Sequence, residues 1–199
     1  MLRSAALASV LLAVSMPCTM AHAQDLDEER PIGEVALSDD TMQLRYIASG
    51  RKMDLERASR ISAGFFLSES RDIVLMGDVL FPAELNIDRL QFLFGPRAYA
   101  ALLEDENNDV LAASLGLEVR YEIGGSSGLA ISGQAFYSPD ILTFGSANNL
   151  TDLSARAEFE VQERMTIFGG MRWFEFELTE GEEDRTLQEE IFAGVAWRF

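Results

Sequence analysis

From about residue 41 onward, apolar side chains fall on every second position in one segment after another. Over 41–49, Met42, Leu44, Tyr46 and Ala48 share one face, with Thr41, Gln43 and Arg45 on the other. Over 110–123 the apolar row is unbroken: Leu111, Ala113, Leu115, Leu117, Val119, Tyr121 and Ile123. The opposite row there is Ala112, Ser114, Gly116, Glu118, Arg120 and Glu122. The same alternation runs through 57–67, 72–81, 90–103, 128–138, 150–161, 164–178 and 186–199. A period of two is the signature of a half-buried strand, and no stretch carries the 3.6-residue period of an amphipathic helix. The segments are joined by short polar connections: 69–71, EDENND (104–109), GGSS (124–127), 139–149, 162–163 and TEGEEDR (179–185). Such even spacing predicts an all-β chain folded as an antiparallel up-and-down barrel. Counting from Thr41 gives an odd number of strands. A further short strand over 33–38 makes the number even, at about ten, and eight results if 72–81 merges with a neighbour. In 164–178 the phase slips near Trp173 and Phe174, which predicts a bulge or an exit from the apolar zone.

Strand length and face composition decide which way the barrel faces. Several segments approach the roughly 9–11 residues that a tilted strand needs to cross a bilayer. The polar rows carry Gly95, Gly116, Gly170 and Gly194 beside Arg97, Arg120, Arg156, Arg172, Glu118 and Glu158. Small residues and paired charges suit the crowded interior of a narrow barrel, whereas a solvated outer face has no need of repeated glycines. Tyr121, Trp197 and Phe199 fall at strand ends on one side, with Tyr137 and Trp173 near the ends on the other. This is the placement of two interfacial aromatic girdles. The final segment, IFAGVAWRF (191–199), sets Ile191, Ala193, Val195, Trp197 and Phe199 in one row. It resembles the closing strand of outer-membrane barrels, whose terminal aromatic is read by the barrel-assembly machinery and which pairs with the first strand. Ile191, Val195, Trp197 and Phe199 are the expected assembly signal.

The N-terminus agrees with export. A basic start at Arg3, an uncharged apolar run over 5–16 and Ala21-His22-Ala23 predict a signal peptide, 1–23, cleaved before Gln24. The apolar run is shorter than the roughly 18–20 residues of a spanning helix, and Pro17 before Cys18 disfavours acylation of that cysteine. The charged stretch 24–32 is then a lead-in and 33–199 the transmembrane barrel. The single Cys and single His both leave with the leader. Disulfides, Cys/His zinc sites and His-assisted nucleophiles leave with them. The formal net charge of −17 becomes one unit more negative on loss of Arg3 and argues against nucleic acid as a partner.

The stretches SDDTMQLRY (38–46), LGLEVRYEI (115–123), GQAFYSPDILTFGSA (133–147) and FAGVAWRF (192–199) are similar to the YfaZ family of bacterial outer-membrane proteins. The corner Tyr137-Ser138-Pro139-Asp140 followed by Leu142 is the sharpest element. The row Gly169-Gly170 with Arg172 before an aromatic is close to the family's Gly-Tyr-Arg pattern, with Met171 and Trp173 departing from it. The resemblance implies a barrel in the outer membrane and assigns no catalytic residue.

Candidate chemistry is sparse. The carboxylate pairs Glu175/Glu177 and Asp105/Glu106 sit in acidic rims or loops, where charge is ordinarily solvated surface. The EDENND and TEGEED runs offer hard oxygen ligands without the fixed spacing of a calcium loop. Asn149-Leu150-Thr151 matches a glycosylation sequon that a bacterial outer-membrane protein would not normally use. The expectation is a non-enzymatic, cofactor-free monomer. It would contact outer-membrane lipid, with the assembly machinery and periplasmic chaperones engaged during biogenesis. Its lumen would be plugged by an ion-pair network of Arg97, Glu118, Arg120, Glu122, Arg156, Glu158 and Arg172. The alternative is a narrow porin-like channel lined by the same residues, and a soluble ligand-carrying barrel is a distant third.

Overall fold

The computed structural model describes residues 30–50, 55, 59–83, 85, 87–104, 109–124, 128–178 and 185–199. The leader with Cys18 and His22, most of the lead-in, the Asp105/Glu106 pair, most of EDENND and GGSS, and nearly all of TEGEEDR lie outside the described residues. The strands are β1 (Ile32–Leu37), β2 (Thr41–Ser49), β3 (Arg60–Ser68), β4 (Ile73–Pro82), β5 (Leu90–Leu102), β6 (Val110–Ile123) and β7 (Leu129–Ser138). There follow β8 (Thr143–Gly145), β9 (Ala147–Gln162), β10 (Met165–Leu178) and β11 (Arg185–Arg198). A short 3-10 turn, Asp140–Leu142, joins β7 to β8.

Hydrogen-bonded neighbours run β5-β4-β3-β2-β1-β11-β10-β9-β7-β6, and β6 pairs back onto β5. Ten antiparallel strands thus close a ring, and β8 adds a three-residue extension along the start of β6. The eight-strand alternative does not occur, because Ile73–Pro82 is a strand of its own between β3 and β5. The added first strand begins at Ile32 rather than Gly33, and the closing strand pairs with it from Ile32↔Arg198 to Leu37↔Ala193. Closure leaves no sheet edge around the ring, which is what permits strands to sit in hydrocarbon.

The end of the barrel holding Phe199 is here termed basal and the opposite end apical. Turns 38–40 and 69–72 and connections 103–109, 139–146 and 179–184 are apical. Connections 50–59, 83–89, 124–128 and 163–164 are basal. Long apical connections alternate with short basal ones only in the second half of the chain. The strand read as starting at 57 starts at Arg60, so 50–59 is a long basal connection, as is 83–89.

The outward rows are apolar and exposed: Val35 and Leu37, Leu44 and Tyr46, Leu115 and Leu117, Ile131, Phe159, Ile167, Met171, Ile191 and Val195. Tyr121, Trp197 and Phe199 face outward at the basal side, and Tyr137 and Trp173 face outward further up. Exposed apolar belts of this extent are stable only against lipid. The chain is a small transmembrane β-barrel.

Phe199 secures the seam between the chain ends. Its N–H donates to the Pro31 carbonyl at 3.0 Å. Its ring covers Gly33, where an added Cβ would lie 3.2 Å from Cζ. An aromatic ring lying over a strand glycine restores packing that the missing side chain cannot supply.

The expected phase slip in β10 takes a different form. Inward and outward positions alternate without interruption from Phe168 to Leu178. What changes is the chemistry of each side: Phe174, Phe176 and Leu178 point inward while Glu175 and Glu177 point away from the lumen. The bulge is real, but the extra residue belongs to the partner strand. Register shifts opposite Phe174 and Glu175, and consecutive residues Leu187 and Gln188 of β11 are both buried.

Candidate functional site

The lumen is the only place where the described residues gather polar chemistry inside the barrel, and it is built in two storeys. The lower is charged. Asp152, on the inward row of β9, lies at its centre with no exposed surface. Arg172 donates to it from Nε at 2.8 Å and from Nη2 at 3.0 Å. Arg97 donates from Nη1 at 3.1 Å and Tyr99 from its hydroxyl at 2.8 Å. Asp78 holds the next position: Arg45 donates at 2.9 Å, Arg97 at 3.0 Å and Ser62 at 2.7 Å, all to Oδ2. Gln43 and Gln134 take the remaining arms of Arg172 and Arg97 at 3.1 Å each.

Nearer the base, Arg156 holds Glu34 at 3.1 Å and Glu158 at 2.8 Å. Arg120 bridges Glu158 at 2.9 Å and Glu122 at 2.7 Å, and Arg60 pairs with Glu118.

Strand alternation explains why these groups meet. Each sits an even number of residues from its neighbours on the same strand, so all project to one face. Within the ring, the ladders then stack them across the lumen. The sequence-derived network is therefore placed as follows. Arg97, Glu118, Arg120, Arg156, Glu158 and Arg172 line the lumen, and Glu122 sits half-exposed at the basal rim. Of the two carboxylates that flank Arg120 on the inward row of β6, Glu122 is its partner and Glu118 is not; Arg60 reaches Glu118 from β3. Glu34, Arg45, Arg60, Asp78 and Asp152 complete the set and were not singled out. Arg45 and Asp78 did stand on the polar rows of their strands, and that was the available signal. Asp152 shares the polar row of Arg156 and Glu158, but the period of two does not say which carboxylate of an acidic chain will meet an arginine.

Aromatic rings close the gaps between charges. The Arg97 guanidinium lies 3.6 Å from the Phe136 ring centre, Arg172 lies 4.4 Å from that of Phe174, and Arg156 lies 4.6 Å from that of Phe168. Such cation–π contacts gain strength where water is excluded. The inward glycines make room for the rings: an added Cβ would lie 2.2 Å from Phe136 at Gly116 and 2.4 Å from Phe168 at Gly194. What remains in this storey is a cavity of about 40 Å³ lined by Glu34, Gln43, Arg45, Glu118, Arg156 and Arg172. At roughly 10–15 Å³ per water, that is space for a few waters rather than a continuous column.

The upper storey is apolar. Phe66, Val74, Tyr99, Leu150, Phe174 and Phe176, each at most 1% exposed, pack together with Met76, Val110, Leu178 and Leu187 across the apical half of the barrel. Phe66 and Phe174 meet edge to face at 5.7 Å. Above the short β1–β2 hairpin, the start of β11 is tied to the start of β4 by Arg185 and Asp72, at 3.0 Å. Ser38 of the hairpin turn bonds Glu190 of β11 at 2.5 Å. Glu175 and Glu177 point out of the barrel, where Glu175 accepts from the Trp173 indole at 2.8 Å and Glu177 accepts from Asn149. Neither faces a cavity.

The sequence model described as "YfaZ precursor" matches residues 43–199, from the second strand to the closing one. The chain belongs to the YfaZ family. The YfaZ match covers the corner Tyr137-Ser138-Pro139-Asp140. The corner is held by the Ser138 hydroxyl, which donates to the Ala113 carbonyl at 2.9 Å, and by Thr143, which bonds Pro139 at 3.1 Å. No curated protein matches the chain. Among solved structures, "KdgM porin" is similar with 11% identity and a TM-score of 0.46, covering 85% of this chain and 98% of that one. "KdgM porin in complex with disordered oligogalacturonate" gives the same identity and coverage with a TM-score of 0.45.

Proposed function

We propose that this YfaZ-family barrel resides in the outer membrane as a structural or envelope-associated protein, with a closed lumen and no enzymatic activity. The observation that carries this reading is the apolar upper storey. A charged layer alone could pass ions along its waters, but an ion meeting Phe66, Phe174, Phe176 and Leu150 would have to shed its hydration with nothing to replace it. The leader 1–23 is removed on export. The basal end faces the periplasm, and the acidic apical connections face outward. Beyond residue 22 the sequence has neither Cys nor His, so the usual proton-transfer and nucleophilic partners are missing from the barrel.

Planar-bilayer recordings test the closed lumen directly. The unmodified protein should give no discrete conductance steps, and reproducible steps would overturn the reading. The narrow-channel alternative draws on one observation, the charge-lined cavity of the lower storey. If the lower storey conducts, Arg120→Glu, at its basal end, should change the ion preference of the steps.

A further inference from the structure

The apolar belt is not level. On β9, β10 and β11 the outward apolar rows end at Leu153, Trp173 and Ile191. The outward positions beyond them are polar: Thr151 and Asn149, Glu175 and Glu177, Glu189 and Thr186. On β5 and β6 the outward rows stay apolar to the apical ends of the strands, at Leu102 and Leu111, which are 56% and 57% exposed. Phe144 of β8 pairs beside Leu111 and also faces out, at 59%, with Ile141 at 80% on the corner below it. Carried across the ladders, Leu111 corresponds to Ala147 on β9, well apical of Leu153. With strands tilted by about 40° and rising about 3.3 Å per residue, the belt's apical edge drops on the order of 10 Å between these walls. At the base the outward apolar rows of both walls run on, to Tyr121 and Ile123 on β6 and to Phe159 and Val161 on β9, so the walls differ at the apical edge.

We propose that the barrel sits inclined in the bilayer, with the β4–β5–β6 wall immersed to Leu102, Leu111 and Phe144 and the β9–β10–β11 wall emerging at Trp173. The occupant of the exposed Ile141–Phe144 surface is then the acyl layer of the apical leaflet. Continuity argues for it: on β6 no outward polar residue separates Leu111 from the lipid-facing Leu115, Leu117 and Tyr121. The corner is also rigidly built, with the Ser138 and Thr143 hydroxyls 2.9 Å apart and Leu142 N–H donating to Pro139 at 2.9 Å. Ile141 and Phe144 are thus presented outward by design of the turn. This inference rests on the membrane-spanning reading but not on whether the lumen conducts.

Spin labels on single cysteines in a Cys18→Ser background, in reconstituted bilayers, read the immersion through collisions with oxygen and with a water-soluble nickel chelate. The positions are Leu111 and Phe144 on the raised wall, Glu177 and Glu189 on the opposite wall, and Ile131 and Met171 as mid-belt references. Labels at Leu111 and Phe144 should favour oxygen as those at Ile131 and Met171 do, and labels at Glu177 and Glu189 should favour nickel. Nickel-favouring labels at Leu111 and Phe144 would mean a level belt and overturn the proposal. Shielding from both reagents would mean that a protein, or a second copy, covers the patch, and would overturn it as well. Nickel-favouring labels at Ile131 and Met171 would instead refute the membrane-spanning reading itself. Heat-modifiable mobility verifies closure of each variant; Ala113 and Ile141 replace Leu111 and Phe144 if either fails to close.

Discussion

Replacing Asp152 with Asn should destabilise the barrel more than any change at its charged rim. The carboxylate accepts bonds from Arg97, from two nitrogens of Arg172 and from Tyr99, and it is fully enclosed. An amide of the same shape keeps one acceptor oxygen, while its NH2 group faces guanidinium donors. Arg97 and Arg172 would also lose their shared counter-charge, leaving Asp78 to serve Arg45 and Arg97 together. Breaking a buried ion pair by neutralising one partner costs about 3–5 kcal/mol, and the expected loss is in that range. The contrasting change is Arg120→Ala. Its side chain is about one-third exposed and its partner Glu122 about one-half, while its other partner, the buried Glu158, keeps Arg156 when Arg120 is removed; the expected loss is then close to the about 0–1 kcal/mol of exposed pairs. Urea unfolding of the barrel in vesicles, followed by the fluorescence of Trp173 and Trp197, measures both. Adding Arg172→Gln to Asp152→Asn removes the stranded cation and should recover at least about 1 kcal/mol, a coupling expected only of contacting groups. A loss below about 1 kcal/mol for Asp152→Asn, or equal losses for Asp152→Asn and Arg120→Ala, would refute the idea that the centre of the lumen holds the barrel together.

Deleting Phe199 removes the bond to Pro31 and the ring over Gly33, so the heat-modifiable, closed fraction should fall and periplasmic degradation should rise; an unchanged folded fraction would contradict this. Gly194→Ala places a Cβ 2.4 Å from both the Phe168 ring and the Val35 carbonyl and should cost about 1–3 kcal/mol in the same unfolding assay, the usual cost of overpacking. A cysteine at Thr186 should react with an impermeant maleimide on intact cells, and one at Glu163 only after the outer membrane is opened; the reverse pattern would invert the orientation.

The legible part of this structure is what a period of two can encode. The unbroken row from Leu111 to Ile123, the polar row containing Arg97 and Arg172, and the aromatic close at Trp197 and Phe199 are each visible in one dimension. The first strand at Ile32–Leu37 was required only by the need for an even number, yet it forms and closes the ring. The filling of the lumen was harder to see. On β10 the inward row passes from Gly170 and Arg172 to Phe174, Phe176 and Leu178 without any change of direction. In sequence, that inversion of chemistry is indistinguishable from a slip of phase. Partner choice was also hidden. Glu118 stands two residues from Arg120 but meets Arg60 from a strand far away in the chain, because the lumen is narrow enough for side chains to reach across it.

The shortness of the first strand bears on the order of events in folding. Around the ring every ladder but one joins strands that follow each other in the chain or, for β7 and β9, are parted only by the corner that carries the three-residue β8, so the sheet can grow hairpin by hairpin at little loop-closure cost. The exception is the ladder between β1 and β11, which must bring together residues near Ile32 and near Arg198. It is limited by the six residues of β1, set against a partner strand of 14. Until β1 and β11 meet, the sheet keeps two open edges, and these are the surface that must be shielded. Once they do, the Ser38–Glu190 bond and the Arg185–Asp72 pair act as latches on the apical side, where β1 is too short to reach.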